Sequence, residues 1–303
     1  MNLTLRQMEV LVAAAVAATF SAAAAKLGIS QPSLSESIRR IERTTGLVLF
    51  ERTTRSLKLT DDGRKTVAIA RELLQDFKHA LQRLSADAGH GRIAIATLPS
   101  VACAAMPAAL AEFCRAHPNV EVALHDVQHE RAMAMLRDGV VDIAVTLKPA
   151  RDEGLTFGGV GSDVARLVCR RDHPFARKRE VRWRDLADQP FIGITRISSV
   201  RRLTDAAFVY GELAIEPRYE VEQVPSAIAL VEAGLGVTAL PSLTFAMFKG
   251  RDLAVRPLIE PVMRRQVGFV TRAQRNLPAF AADLMRAIRE RLQCESRNTS
   301  AGR

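Results

Sequence analysis

Cysteine is scarce and scattered in this 303-residue chain: Cys103, Cys114, Cys169 and Cys294 form no CxxC pair and no regular framework. Their isolation excludes a disulfide-stapled domain and points to a reducing compartment, the cytoplasm. Enzyme signatures are missing as well. There is no GxSxG, no HExxH and no P-loop, and the GLG of Gly234 to Gly236 precedes a strand-like segment instead of joining a strand to a helix, so a dinucleotide fingerprint fails. Neither an enzymatic activity nor a cofactor is expected. His125 and His129 have metal-like spacing, but they flank a strand end, where an i,i+4 step does not align two side chains. No metal site is expected.

Long hydrophobic runs are also lacking. The apolar segment between Glu9 and Lys26 has 16 residues, short of the ~20 that span a bilayer. With Arg6 ahead of VLVAAAVAA and SAAAA behind it, the segment imitates an export signal. Against that reading, Glu9 abuts the run, and Leu5, Met8, Leu11, Val12, Ala15 and Val16 follow the spacing of an amphipathic helix. An exported solute-binding protein is the alternative, and a native N-terminus near Lys26 would establish it. No membrane partner is expected.

Positive charge is what the chain has in excess: 43 Lys and Arg against 33 Asp and Glu, a net +10. That sign suits a polyanionic partner without identifying one. From Arg264 to Arg303 there are nine Arg and three acids. A solvated helix followed by a disordered tail over 296–303 accounts for that stretch better than a second nucleic-acid site.

The most organised segment is FSAAAAKLGISQPSLSESIRRIER, Phe20 to Arg43. Ser21 can cap a short Ala-rich helix that stops at Leu27, because Gly28 supplies a left-handed exit. Ser30 is a good N-cap for the next helix, with Pro32 in its first turn, where a missing N–H costs nothing. Leu34, Ile38 and Ile41 fall on one stripe; Pro32, Glu36, Arg39, Arg40 and Arg43 fall on the opposite face. Ala22 to Ala25 are small enough for a second helix to cross closely, as a helix-turn-helix demands.

With the opening LRQMEVLVAAA and the later GLVLFERTTRSLKLTDDG, residues 1–60 resemble the winged helix-turn-helix of the LysR-type transcriptional regulators. The resemblance implies double-stranded DNA as a partner, with the second helix of the motif in the major groove and the wing along the backbone. Carried over, Ser21, Gln31, Pro32, Ser33, Ser35, Glu36, Arg39 and Arg40 become DNA-contact candidates, and Arg52 and Arg55 phosphate clamps on the wing. Relatives often place Arg, His or Gln at the position of Glu36. A carboxylate there either accepts from cytosine N4 or repels phosphate.

From Asp61 to Ala88, Val67, Ala70, Leu74, Phe77, Leu81, Leu84 and Ala88 recur at alternating steps of three and four, a heptad seam on one helix of about 25 residues. A 60-residue domain cannot bury that stripe alone, so the helix either pairs with a copy of itself or packs on the domain that follows; pairing, in a homodimer or homotetramer, is the expected outcome and the one the resemblance implies. Residues 88–91 read as a hinge. Beyond it, strand-like and helix-like segments alternate, which implies parallel sheets covered by helices. The pattern resembles the LysR-type effector domain: two α/β lobes like those of periplasmic solute-binding proteins (type 2), with crossovers expected near 158–163 and 261–268. The expected organisation is a winged helix-turn-helix (1–60), a linker helix (61–88) and an effector-binding domain (89–295), with lobe one at 91–160 and 268–295 and lobe two at 161–267.

Ligands of open α/β sheets sit beyond the carboxyl ends of strands. Those ends offer Pro99 and Ser100, Gln128 and His129, Thr146 with Lys148 nearby, and Thr195, Arg196, Ser198 and Ser199. Ser100 and Ser199 begin helices, where hydroxyl, free N–H groups and the positive dipole end suit an anion. A small-molecule effector, a carboxylate, is the expected ligand; capping is the competing role for each residue taken alone. Some relatives sense peroxide with two cysteines in the second lobe of the effector domain. Here only Cys169 lies there, so a packing role is expected. A constitutive DNA-binding protein with an unliganded cleft is the remaining alternative.

Overall fold

Four helices and a short hairpin build the N-terminal unit. Helix α1 (Leu5–Val16) starts from a capping box in which Thr4 and Gln7 satisfy each other's backbone N–H. Helix α2 (Phe20–Leu27) is capped by Thr19, so Ser21 lies in the first turn and is not the cap expected for it. Gly28, at φ 65°, ends the helix in the left-handed region that a side chain would strain. Ser30 accepts from Ser33 N and starts α3 (Gln31–Thr45), with Pro32 in the first turn. Strands β1 (Phe50–Arg52) and β2 (Leu57–Leu59) pair antiparallel, and α4 (Asp61–Leu84) follows. The computed structural model describes residues 3–17, 19–52, 57–84, 91–151, 154–273 and 275–300.

One core serves this unit: Leu11 and Ala14 of α1, Ala23 and Ala24 of α2, Leu34, Ile38 and Ile41 of α3, Leu49, Phe50, Val67 and Ala70. The face of α1 differs from the amphipathic stripe expected, since Leu5 and Val16 are exposed while Val10 and Ala13 are buried. The stripe of α4 also divides. Val67 and Ala70 belong to the unit's own core, whereas Ile69, Leu73, Phe77 and Leu81 are exposed, four residues apart on a neighbouring face. A helix turning 100° per residue drifts off a strict heptad, so its first turns face the domain while later turns offer the adjacent stripe. Leu84's side chain and Ala88 lie outside the described residues.

The C-terminal unit is two-lobed and α/β. In lobe one, β3 (Gly91–Thr97), β4 (Val120–Asp126) and β5 (Ile143–Leu147) alternate with α5 (Pro99–Ala104), α6 (Met106–Ala116) and α7 (His129–Arg137). The long strand β6 (Leu155–Arg170) leads into lobe two, which holds β7 (Val181–Arg182), β8 (Ile192–Ile194), α8 (Ser199–Tyr210), β9 (Tyr219–Val221), α9 (Val224–Glu232), β10 (Thr238–Pro241) and β11 (Leu253–Ile259). Strand β12 (Arg264–Arg272) returns, and α10 (Phe280–Ser300) closes the chain against α6. Helix α10 continues through 296–300, where a disordered tail was expected, because no Gly or Pro interrupts the sequence before Gly302.

The sheets are mixed, a correction to the parallel expectation. Strands β3 and β5 run parallel, as do β8 and β9, but β12 is antiparallel to both β5 and β6. The cause is the crossovers: β6 and β12 pass between the lobes as one antiparallel ribbon, paired from Leu155↔Arg272 to Val164↔Arg264. A shift in register at Val267/Gly268 lets the ribbon pack closely; a Cβ on Gly268 would lie 2.3 Å from Gly158 O. Alternating β6 residues serve different cores, Leu167 and Cys169 one cluster and Val168 another.

Candidate functional site

The outer face of α3 is where the N-terminal unit gathers polar groups. Gln31, Pro32, Ser33, Glu36, Arg39, Arg40 and Arg43 are exposed and Ser35 is half-buried, opposite the buried stripe. Gln31 Nε2 donates to Ser35 Oγ (3.0 Å), and Ser33 Oγ lies 2.8 Å from Ser30 Oγ. Glu36 accepts from Arg43 Nη2 (2.6 Å) and lies 3.7 Å from Arg39 Nη1, with all three side chains 58–70% exposed. Arg40 has no ionic partner among the described residues. Ser21 is exposed on α2. The Arg52 backbone pairs with Leu57 in the hairpin, but its side chain, like all of Arg55, lies outside the described residues.

The C-terminal unit holds a cavity of about 310 Å³ between its lobes, lined among others by Pro99, Ser100, Cys103, Asp126, Gln128, Ser198, Ser199, Glu222, Gln223, Thr244 and Arg265. Its floor is organised by Arg265 on β12. The guanidinium grips Asp163 Oδ2 through Nε (3.0 Å) and Nη2 (2.7 Å), and donates to Ser199 Oγ from Nη1 (2.9 Å) and to Ser100 Oγ from Nη2 (3.2 Å). Asp163 is held in turn by Ser242 Oγ (2.8 Å) and Leu243 N (2.9 Å). Four of the five N–H donors of Arg265 are thus engaged, and one on Nη1 has no acceptor among the described residues. Because Ser100 and Ser199 accept from Arg265, their own hydroxyl hydrogens remain to donate; both residues are about 95% buried.

The rim has the opposite character. Asp126 ends β4, Glu222 follows β9, both are exposed, and neither has an ionic partner among the described residues. Partial desolvation by its neighbours nevertheless pushes the Asp126 carboxyl above its ordinary range. Burial and the Asp126 charge raise the Cys103 thiol in the same direction.

Of the expected cleft residues, Pro99, Ser100, Gln128, Ser198 and Ser199 line this cavity. Ser198 is the cap of α8, accepting from Val200 N, so Ser199 is free for Arg265. His129 and Thr146 are instead buried against each other, Nδ1 to Oγ1 2.9 Å, outside the lining. Thr195 is not in the lining, and its Oγ1 is buried. Arg196 lines a separate shallow depression with Gln128, Arg131 and Arg202, and Lys148 is exposed. Arg265, Asp163, Asp126 and Glu222 were not anticipated. A signal for Arg265 existed, since strand alternation puts it on the same face as the buried Val267 and Phe269.

Residues 5–64 match the bacterial regulatory helix-turn-helix family of LysR type, and residues 86–293 match the LysR substrate binding domain. The chain belongs to the LysR family. It is a DNA-binding transcriptional regulator with an effector-binding domain. The uncharacterized HTH-type regulator YbhD of Escherichia coli K12 is 31% identical over 88% of this chain and 85% of its own length. The DNA-binding transcriptional dual regulator OxyR of the same organism is 28% identical over 96% of each chain. The structure of a full-length OxyR variant from Pseudomonas aeruginosa superimposes with a TM-score of 0.77 over 95% of each chain at 21% identity, a likeness of fold. In this LysR-type regulator Cys169 is fully buried, and that burial pushes its thiol to about 11, so the nucleophilic thiolate is suppressed. The segment that imitates an export signal lies within the helix-turn-helix match, as α1 and α2. Among the described residues no helix is long and apolar enough to cross a membrane.

Proposed function

We propose that this regulator, in the cytoplasm, reads DNA through α3 and is controlled by a small carboxylate held in the cavity between its lobes. On the DNA side, Gln31, Pro32, Ser33, Ser35, Glu36, Arg39 and Arg40 face the major groove, and Ser21, Arg52 and Arg55 lie along the backbone. The continuous exposed polar face of α3 opposite Leu34, Ile38 and Ile41 supports this reading. A second copy of the chain pairs along Ile69, Leu73, Phe77 and Leu81 of α4, in a dimer or a dimer of dimers. Two copies of α3 then meet two half-sites a helical turn apart.

The observation that carries the effector assignment is the Ser100–Arg265–Ser199 floor. Two buried hydroxyls, each already accepting from a guanidinium, keep hydrogens to donate and line the same cavity as that guanidinium, and an oxyanion there would accept from all of them. Ser100 belongs to lobe one and Ser199 to lobe two, so the anion contacts both and binds one arrangement of the lobes better than others. That differential affinity is what shifts a population and with it the affinity for DNA. Calorimetric titration of Ser100→Ala and Ser199→Ala variants with small organic acids tests the floor, and each is expected to lose about tenfold or more. Unchanged affinity for acids, or tight binding of neutral compounds alone, contradicts it.

A further inference from the structure

We infer that the effector is a zwitterion, its carboxylate on the Ser100–Arg265–Ser199 floor and a cationic nitrogen at the rim between Asp126 and Glu222. The inference rests on the carboxylate reading above and adds the second half of the ligand. Arg265, the one cation among the described residues that line the cavity, is already offset by Asp163, whose carboxylate sits 2.7 Å away and is fully buried. The rim then adds two carboxylates with no cation of the protein beside them among the described residues. Counted together, the lining residues Arg265, Asp126 and Glu222 and the Asp163 that pairs with Arg265 carry a net charge of −2.

A dicarboxylate would bring two more negative charges into that field, and a plain monocarboxylate would leave the rim as it is. A ligand with a carboxylate at one end and an ammonium at the other meets donors at the floor and acceptors at the mouth. The volume, about 310 Å³, is at the small end of ligand pockets, which suits one amino-acid-sized molecule. The two acids also belong to different lobes, Asp126 at the end of β4 and Glu222 after β9. Two carboxylates facing one cavity repel one another, and a cation held between them would draw both toward itself. Both ends of the ligand therefore bridge the lobes, and rim charge adds to the preference for the closed arrangement that control requires.

The test is calorimetric titration of the full-length protein with 4-aminobutanoate, 5-aminopentanoate, 6-aminohexanoate and the common L-α-amino acids, set against pentanoate, glutarate and adipate. At least one zwitterion is expected to bind about tenfold or more tighter than the dicarboxylate and monocarboxylate of its length. In an Asp126→Asn/Glu222→Gln double variant that advantage should vanish and glutarate should gain affinity. Glutarate or adipate binding the native protein better than every zwitterion overturns the inference and leaves the carboxylate floor standing, as does a preference for zwitterions that the double variant retains unchanged. Absence of binding by every zwitterion also overturns it; pentanoate binding that Ser199→Ala abolishes would then show the floor alone is correct. Binding of pentylamine with no carboxylate bound would sink both readings.

Discussion

Two regions of this regulator use the same ingredients, arginine and carboxylate, in opposite ways. On α3 the Arg39–Glu36–Arg43 chain stands in solvent, each side chain more than half exposed. At the floor of the cavity, Arg265 and Asp163 are 8% and 0% exposed, and every oxygen of Asp163 is used. Exposed pairs contribute about 0–1 kcal/mol and exchange partners freely, so in the proposed reading α3 trades Glu36 for phosphate or base when DNA arrives. A buried pair is different, because removing one member strands the other's charge in a low dielectric. The ion pairs on α3 are free to be renegotiated, whereas those of the cavity floor are built to stay put.

The largest effect that can break this contrast is at Arg265. Replacing it with Met leaves Asp163 buried and uncompensated, and should destabilise the effector domain by about 3–5 kcal/mol, read as a lowered denaturant midpoint. An Arg265→Met/Asp163→Leu double variant should recover much of that loss while still failing to bind acids, since the floor's spare donor is gone. A single variant that unfolds like the native protein would show that the pair is not the keystone proposed here.

Next in size is the oligomer. Leu73→Asp with Leu81→Asp places charges on the exposed stripe of α4 and leaves Val67 and Ala70 in the domain core. Monomers in sedimentation and a loss of operator affinity of about a hundredfold or more are expected, as two half-sites are no longer read together. A surviving dimer would move the interface off α4.

The uneven legibility of the two regions has a physical cause. The core of α3 could be read directly, because Leu34, Ile38 and Ile41 recur with the helical period, Gly28 marks the end of the preceding helix, and Ser30 and Pro32 mark the start of α3 within the same short segment. Periodicity carries no such information about the cleft. Arg265 meets Ser100, 165 residues away, and Asp163, 102 residues away, only because two crossing strands run antiparallel. The same ribbon explains why alternation suggested parallel sheets, since a strand that serves both lobes looks locally like any other. His129 and Thr146 show the converse error: strand-end position was right for both, but their side chains satisfy each other.

Cysteine chemistry gives a smaller effect. Cys103, Cys114 and Cys294 are exposed and Cys169 is buried, so alkylation of the native protein at mildly alkaline pH should label three thiols and spare Cys169 until unfolding. The folded chain holds the Cys169 proton more tightly than the unfolded chain, which raises the thiol from 9.0 to about 11. The folded state therefore binds more protons in that window, and this contribution to stability is full below pH 9 and lost as pH rises toward about 11. Rapid labelling of Cys169 in the native state would contradict the packing role.

The smallest expected change in stability sharpens the comparison most. Glu36→Gln removes the carboxylate that brackets Arg39 and Arg43, and because all three side chains are solvated the thermal midpoint should hardly move. DNA binding separates the two roles open to this residue. If Glu36 only offsets its neighbours, freeing two guanidiniums should tighten binding to every sequence and steepen the salt dependence by up to about one phosphate equivalent. If its carboxylate accepts from cytosine N4, the same change should weaken one sequence class by about 1–3 kcal/mol and leave others alone. A fluorescence anisotropy series over salt, run on an operator fragment and on scrambled DNA, distinguishes uniform tightening from selective loss. Equal affinity in both series, with no change in slope, would mean that the Arg39–Glu36–Arg43 chain never faces the duplex and that the groove-reading surface of α3 is displaced toward Gln31 and Ser33.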